Sequence, residues 1–139
     1  MKNIKYYAKE LMELAYGKMG EVSSNVFAEH RPLAIPRQMD DLVVVSVPYG
    51  FRDKHVLQTA LLRVELIVRN KENGIANVEK LQAMLDIVTE MMPLKEGRFF
   101  VSSPTLALRG DDGAGFTIWC VHCNVEINTL DRFDVGEKP

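Results

Sequence analysis

The residues with the most chemical promise lie near the end of the chain, in Trp119-Cys120-Val121-His122-Cys123. A Cys-x-x-Cys behind a tryptophan has the outline of a thioredoxin-type redox site. Such a site needs its first cysteine at a helix N-terminus, where the dipole lowers the thiol pKa. The flanking residues argue otherwise. Trp119, Val121, Cys123, Val125 and Ile127 are apolar, while Ile118, Cys120, His122, Asn124 and Glu126 are mixed. Period two is the pattern of a strand, and strand positions three apart point to opposite faces. Redox chemistry is therefore not expected. Zinc fails on the same geometry. A structural site takes four ligands, usually as two close pairs, and His30, His55 and His122 supply no second pair. What is left is a small core residue at Cys123 and a partly buried one at Cys120. No metal and no cofactor is expected.

Other strings give less. Gly110-x-x-Gly113-x-Gly115 has the glycine content of a phosphate cradle, but a cradle works at the start of a helix. A strand follows this one, and Asp111 and Asp112 would repel phosphate, so a hairpin turn is the expectation. The two aspartates lack EF-hand spacing. Asp40, Asp41, Asp53, Glu65 and Asp86 supply carboxylates, none paired by spacing with a histidine or a nucleophile. Ser102 and Ser103 precede Pro104 without a Gly-x-Ser-x-Gly elbow. His55 follows Arg52-Asp53-Lys54 and is expected in a solvated loop. No catalytic residue can be named. An enzyme would need a site assembled from scattered residues, with His55 or His122 beside a carboxylate in a deep polar pocket.

The elements that would position these groups are easier to read. Leu62, Val64, Leu66 and Val68 alternate with Arg63, Glu65 and Arg69, which makes Thr59 to Arg69 a strand with one dry face. Asn70 to Gly74 is turn chemistry. Val78, Leu81, Met84, Leu85, Val88, Met91 and Met92 then form the apolar stripe of a helix, which Pro93 stops. A first helix is expected to start at Asn3, a good N-cap residue, with Ile4, Tyr7, Ala8, Leu11, Leu14 and Ala15 on its core face and Gly17 or Gly20 at its end. Asn25 to His30 is a short strand candidate. Arg31 to Asp40, with two prolines, is a long irregular loop that exposes Arg37, Gln38 and Met39. Leu42 to Val47 is apolar without alternation, the pattern of a strand covered on both faces, and another subunit is one candidate for the outer cover. Arg52 to Lys54 reads as a turn and Leu94 to Gly97 as a loop. Arg98 to Val101, with Thr105 to Leu108 as a candidate continuation, and Phe116 to Ile127 form the last two strands.

The order is then α-β-β-β-α-β-β. The fold class predicted is α+β, a mostly antiparallel sheet of about five strands with two helices packed on one face. Residues 1–128 form one domain, and 129–139 form a flexible C-terminal tail. With 139 residues, 47% of them apolar, a real core is affordable. A net charge of -2 and a pI near 5.9 disfavour nucleic-acid binding by bulk charge. No apolar run approaches the ~20 residues of a membrane span, and two cysteines make no disulfide framework. A cytoplasmic protein, without membrane or sequence-specific nucleic-acid partners, is the expectation.

The layout resembles the tail-terminator and neck (tail-completion, head–tail joining) proteins of long-tailed bacteriophages and prophages. The carriers are the helix Ile4 to Tyr16, the approach and strand Pro36 to Val47, and the His-bearing segment His55 to Arg69. The Asn73-Gly74 turn, the helix Val78 to Met92 and the hairpin Phe99 to Ile127 complete it. The resemblance implies a homo-oligomeric ring, often a hexamer, that contacts tail tube or connector proteins and performs no catalysis. Arg37, Gln38, Met39, Arg109, Asp111 and Asp112 are the contact candidates, from the long loop and the hairpin tip. Two alternatives stay open: a small binding or regulatory domain acting as a dimer, and an enzyme with a site assembled from scattered residues.

Overall fold

A computed structural model of the chain describes residues 7–48, 52–53 and 57–129. Two long strands are its spine. β4 (Leu57–Arg69) and β8 (Phe116–Asn128) pair antiparallel along their whole length, from Leu57 opposite Asn128 to Arg69 opposite Phe116. The alternation read from the sequence sets which side of each strand is dry. Leu62, Val64, Leu66 and Val68 of β4 meet Trp119, Val121, Cys123, Val125 and Ile127 of β8 in one core.

The other strands add to both edges of this pair. On the β4 side lie β2 (Asp41–Ser46), and beyond it β1 (Val26–Ala28), which runs parallel to β2. β3 (Arg52–Asp53) also pairs with β4. On the β8 side β6 (Phe99–Val101) takes the end near Ile127, and β5 (Leu94–Glu96) pairs outside it. β7 (Thr105–Asp111) takes the other end of β8. The expectation of about five mostly antiparallel strands in the order α-β-β-β-α-β-β is thus corrected. The described residues form one curled, mixed, eight-stranded sheet with two helices, in the order α-β-β-β-β-α-β-β-β-β. The extra strands have physical reasons. The turn expected at Arg52 and the loop expected at Leu94 are short enough to pair by backbone alone, and Gly97, at φ 58°, closes the β5–β6 hairpin. Thr105 to Asp111 is a strand of its own, not a continuation of β6.

Helix α1 (Ala8–Met19) buries Leu11, Ala15 and Met19, one residue per turn, together with Tyr7 just before it. It begins at Tyr7 without a side-chain cap; the cap expected at Asn3 lies outside the described residues. Helix α2 (Val78–Met91) is capped by Asn77, whose Oδ1 accepts the Lys80 amide at 3.3 Å. It buries Leu81, Met84 and Val88; Val78, placed in the stripe, is half exposed. Met92, extended before Pro93, ends it. Both helices share the core of the dry sheet face. The Asp41 carboxylate at the start of β2 ties the layers together, accepting from Ser23 Oγ and pairing with Lys80 Nζ at 2.7 Å.

The second sheet face is covered over part of its area. Leu42 and Val44 of β2 join Ile67 and Phe116 in a second cluster, which Phe27, Ile35, Met39 and Ile118 help to cover. The two-faced burial of β2 is as its composition predicts. Its cover includes the chain's own loop, 31–40. Arg69 fastens that loop, donating from Nη2 to the Pro36 and Met39 carbonyls at 3.1 Å each while its guanidinium lies 4.6 Å from the Phe116 ring centre. His55 and the tail beyond Thr129 lie outside the described residues.

Candidate functional site

The polar side chains of β4 and β8 meet where the second face is not covered by loop 31–40. Arg63 stands opposite His122, and Glu65 opposite Cys120, on two successive same-face rungs. β7 continues this surface as a wall. It pairs with β8 from Thr105 opposite His122 to Asp111 opposite Thr117, with an irregularity between Leu106 and Leu108 that places Leu108 opposite Cys120. Because the sheet curls here, the three strands enclose a half-open cleft of about 440 Å³. Arg63, Glu65, Arg109, Asp111, Cys120 and His122 are its polar lining residues, and Leu108 and Ile118 supply apolar surface.

The Cys-x-x-Cys pair is split by strand parity. Cys123 is in the core with 0% exposure, and Cys120 is in the cleft. Both thiols are free. Burial pushes Cys123 up to about 11. Burial also raises Cys120, Arg63 works against that rise, and Glu65 adds to it. Near neutral pH both are protonated and weakly nucleophilic. Among the described residues no group of three or more His, Cys, Asp or Glu side chains has a metal-holding arrangement. His122 does sit near a carboxylate, since Glu65 is on the adjacent rung. Its Nε2 is buried and has no protein hydrogen-bond partner among the described residues.

The six contact candidates fall into three kinds. Arg37 and Gln38 are exposed on loop 31–40. Met39 is not: it turns inward onto the second cluster. Arg109 is exposed on β7, its guanidinium 6.0 Å from the Trp119 ring centre. Asp111 and Asp112 sit in the hairpin tip, and their carboxylates are engaged within the chain. Asp111 accepts the Gly113 amide at 2.6 Å and Asn70 Nδ2 at 2.8 Å. Asp112 accepts the amides of Ala114 at 2.7 Å and Phe116 at 3.1 Å, and pairs with Arg31 Nη1 at 2.7 Å. Burial alone would raise the Asp112 pKa; Arg31 and the two amides outweigh it and hold it below the ordinary value. Gly113 and Gly115, at φ 76° and 95°, let the turn present those amides. The Arg31 pair also joins loop 31–40 to the hairpin tip, so the two expected contact elements lie side by side.

The cluster of Arg63, Glu65, Cys120 and His122 was not predicted as a site. Alternation put each of these residues on a polar or mixed strand face, but only the β4–β8 register puts them together. No protein-family model and no curated protein matches the chain. One solved structure superimposes with a TM-score of 0.51 at 13% identity, covering 87% of this chain and 91% of its own. That likeness is one of fold. No described helix is long and apolar enough to cross a membrane.

Proposed function

We propose that the chain is a non-enzymatic structural protein of a phage or prophage tail. It is made in the cytoplasm and assembles as a homo-oligomeric ring, with a hexamer as the leading size, at the tail end or head–tail junction. Its partners are its own copies and tail tube or connector proteins. The observation that carries this reading is β7. All seven of its residues are exposed, and among the described strands it pairs only with β8. Leu106 is 38% exposed and Leu108 68% exposed on it. A seven-residue edge with outward leucines offers backbone groups for another chain to pair with, and its irregularity at Leu106–Leu108 with Arg109 and Asp111 limits which chains can do so. Copies of the same chain cover edges by symmetry. The protonated, buried thiols support a role without covalent chemistry.

Light scattering after size exclusion, across protein concentrations, tests the ring. A closed species at a fixed multiple of the 15.7 kDa chain supports it; a single-chain mass at every concentration refutes it. A second reading, a small binding domain acting as a dimer, is favoured by the cleft between β7 and the β4–β8 pair. A two-chain mass that stays constant with dilution selects it.

A further inference from the structure

The Asn73-Gly74 turn between β4 and α2 has a chemistry that neither reading of the assembly uses. Both residues are exposed. The Asn73 side chain forms an Asx turn, its Oδ1 accepting the Ile75 amide at 3.1 Å. A side chain folded over its own backbone in this way brings Cγ toward the Gly74 nitrogen. The Ile75 amide then stands where negative charge would develop on Oδ1. Gly74, at φ 81°, has no side chain to crowd its nitrogen, and no more distant part of the chain comes within 4 Å of where one would begin. One contact opposes reaction: the Gly74 amide donates to the Lys71 carbonyl at 2.8 Å, which ties up the nitrogen's proton. The flanking asparagines are engaged differently. Asn70 donates to Asp111 and accepts from Thr117, Asn77 caps α2, and they are followed by the larger Lys71 and Val78.

We propose that Asn73 is a site of spontaneous deamidation, gated by opening of the Gly74–Lys71 hydrogen bond. With that bond open, the Gly74 nitrogen attacks Cγ of Asn73. The nitrogen–Cγ bond forms, the Cγ–Nδ2 bond breaks, and ammonia leaves with the proton from the Gly74 nitrogen. Solvent water then opens the cyclic imide. Addition of water at Cγ gives aspartate. Addition at the main-chain carbonyl carbon gives isoaspartate, in which the chain runs through the former side chain. No electrons are exchanged, and either product gains one negative charge. Isoaspartate also inserts a methylene into the turn that the Gly74–Lys71 and Lys71–Ile75 bonds close, and so loosens the link from β4 into α2. The inference rests on the turn and not on the ring.

The test holds the folded chain in mildly alkaline buffer and maps its peptides over time by mass spectrometry, with chromatography that separates isoaspartate from aspartate. The same chain unfolded in guanidinium chloride supplies the ungated rate. A turn hydrogen bond keeps the gate closed most of the time, so conversion at Asn73 is expected to be roughly two- to tenfold slower in the folded chain than in the unfolded one. The peptides carrying Asn70 and Asn77 should stay unchanged in the folded chain, and Asn73→Ser should abolish the conversion. In the converted fraction, amide hydrogen exchange at Gly74 and Ile75 should quicken while the middle of α2 keeps its protection. An Asn73 that stays intact in the folded chain long after the unfolded chain has converted overturns the proposal. Equal rates in the two states overturn the gate, and conversion of Asn70 or Asn77 as fast as Asn73 overturns the assignment to this turn.

Discussion

Removing the charge of Asp112 should loosen the hairpin tip by an amount the geometry sets. In Asp112→Asn the remaining carbonyl oxygen can still accept the Ala114 and Phe116 amides, which both use Oδ1. The other oxygen, 2.7 Å from Arg31 Nη1, becomes an NH2 group facing a donor. A hydrogen bond between charged groups contributes about 1.5–3 kcal/mol. The Asp112 side chain is 4% exposed but Arg31 is 36% exposed, so screening by water favours the lower half, about 1.5–2 kcal/mol. For a chain of this length that lowers Tm by roughly 5–8 °C. The acid dependence follows from the direction of the pKa. Asp112 is held below its ordinary 3.8 in the folded chain. Its contribution is complete above that value and is lost as pH falls through the folded pKa. Thermal unfolding followed by circular dichroism at pH 7, and then stepwise into acid, should show a Tm gap between parent and variant that closes below pH 3.8. Equal Tm values at pH 7, or a gap that widens in acid, would refute the reasoning.

Leu66→Asp should unfold the chain, because Leu66 has 0% exposure in the main core and an unpaired buried carboxylate costs well over ~4 kcal/mol. Glu65→Ala, one residue away on the cleft face, should change stability by less than about 1 kcal/mol; comparable Tm values for the two variants would show the strand phase to be wrong. Arg69→Ala removes the fastening of loop 31–40 and should speed amide hydrogen exchange there, with little change in α2; unchanged exchange would assign the loop's order to Ile35 and Met39 alone. The double variant Cys120→Ser, Cys123→Ser should lower Tm, since a hydroxyl replaces a core thiol at Cys123, yet keep the parent's mass in solution; a folded variant that loses the parent's assembly would show that a thiol is needed for it.

The parts of the fold legible in the sequence are those where side-chain periodicity and burial coincide. Alternation from Leu62 to Val68 and from Trp119 to Ile127 gave the spine and separated Cys120 from Cys123 before any register was known. The Gly-rich turn at 110–115 was readable because only glycine accepts the positive φ of Gly113 and Gly115 at no cost. Strands β3 and β5 were missed because two or three residues carry no period; they are strands because a neighbour offers its backbone. In the sequence β7 reads as a short extension, because it is exposed on both faces and therefore shows no alternation. The cover of Leu42 and Val44 was legible as a need, but its supply by Ile35 and Met39 depends on a loop path that composition does not encode. At the site, Arg63 and His122 each read as a polar strand residue, and they become a pair only through the register between strands far apart in sequence.

In the proposed ring, copies of this chain close on one another through β7. The measurement that tests it most directly is the mass in solution of the parent beside Leu108→Glu, by light scattering after size exclusion at matched concentrations. Leu108 is 68% exposed, so its replacement should leave the fold intact while placing a charge where a neighbouring strand must pack. A closed multi-chain species is expected for the parent and a single chain for the folded variant. A parent that is a single chain at every concentration, or a variant that assembles as the parent does, would contradict it.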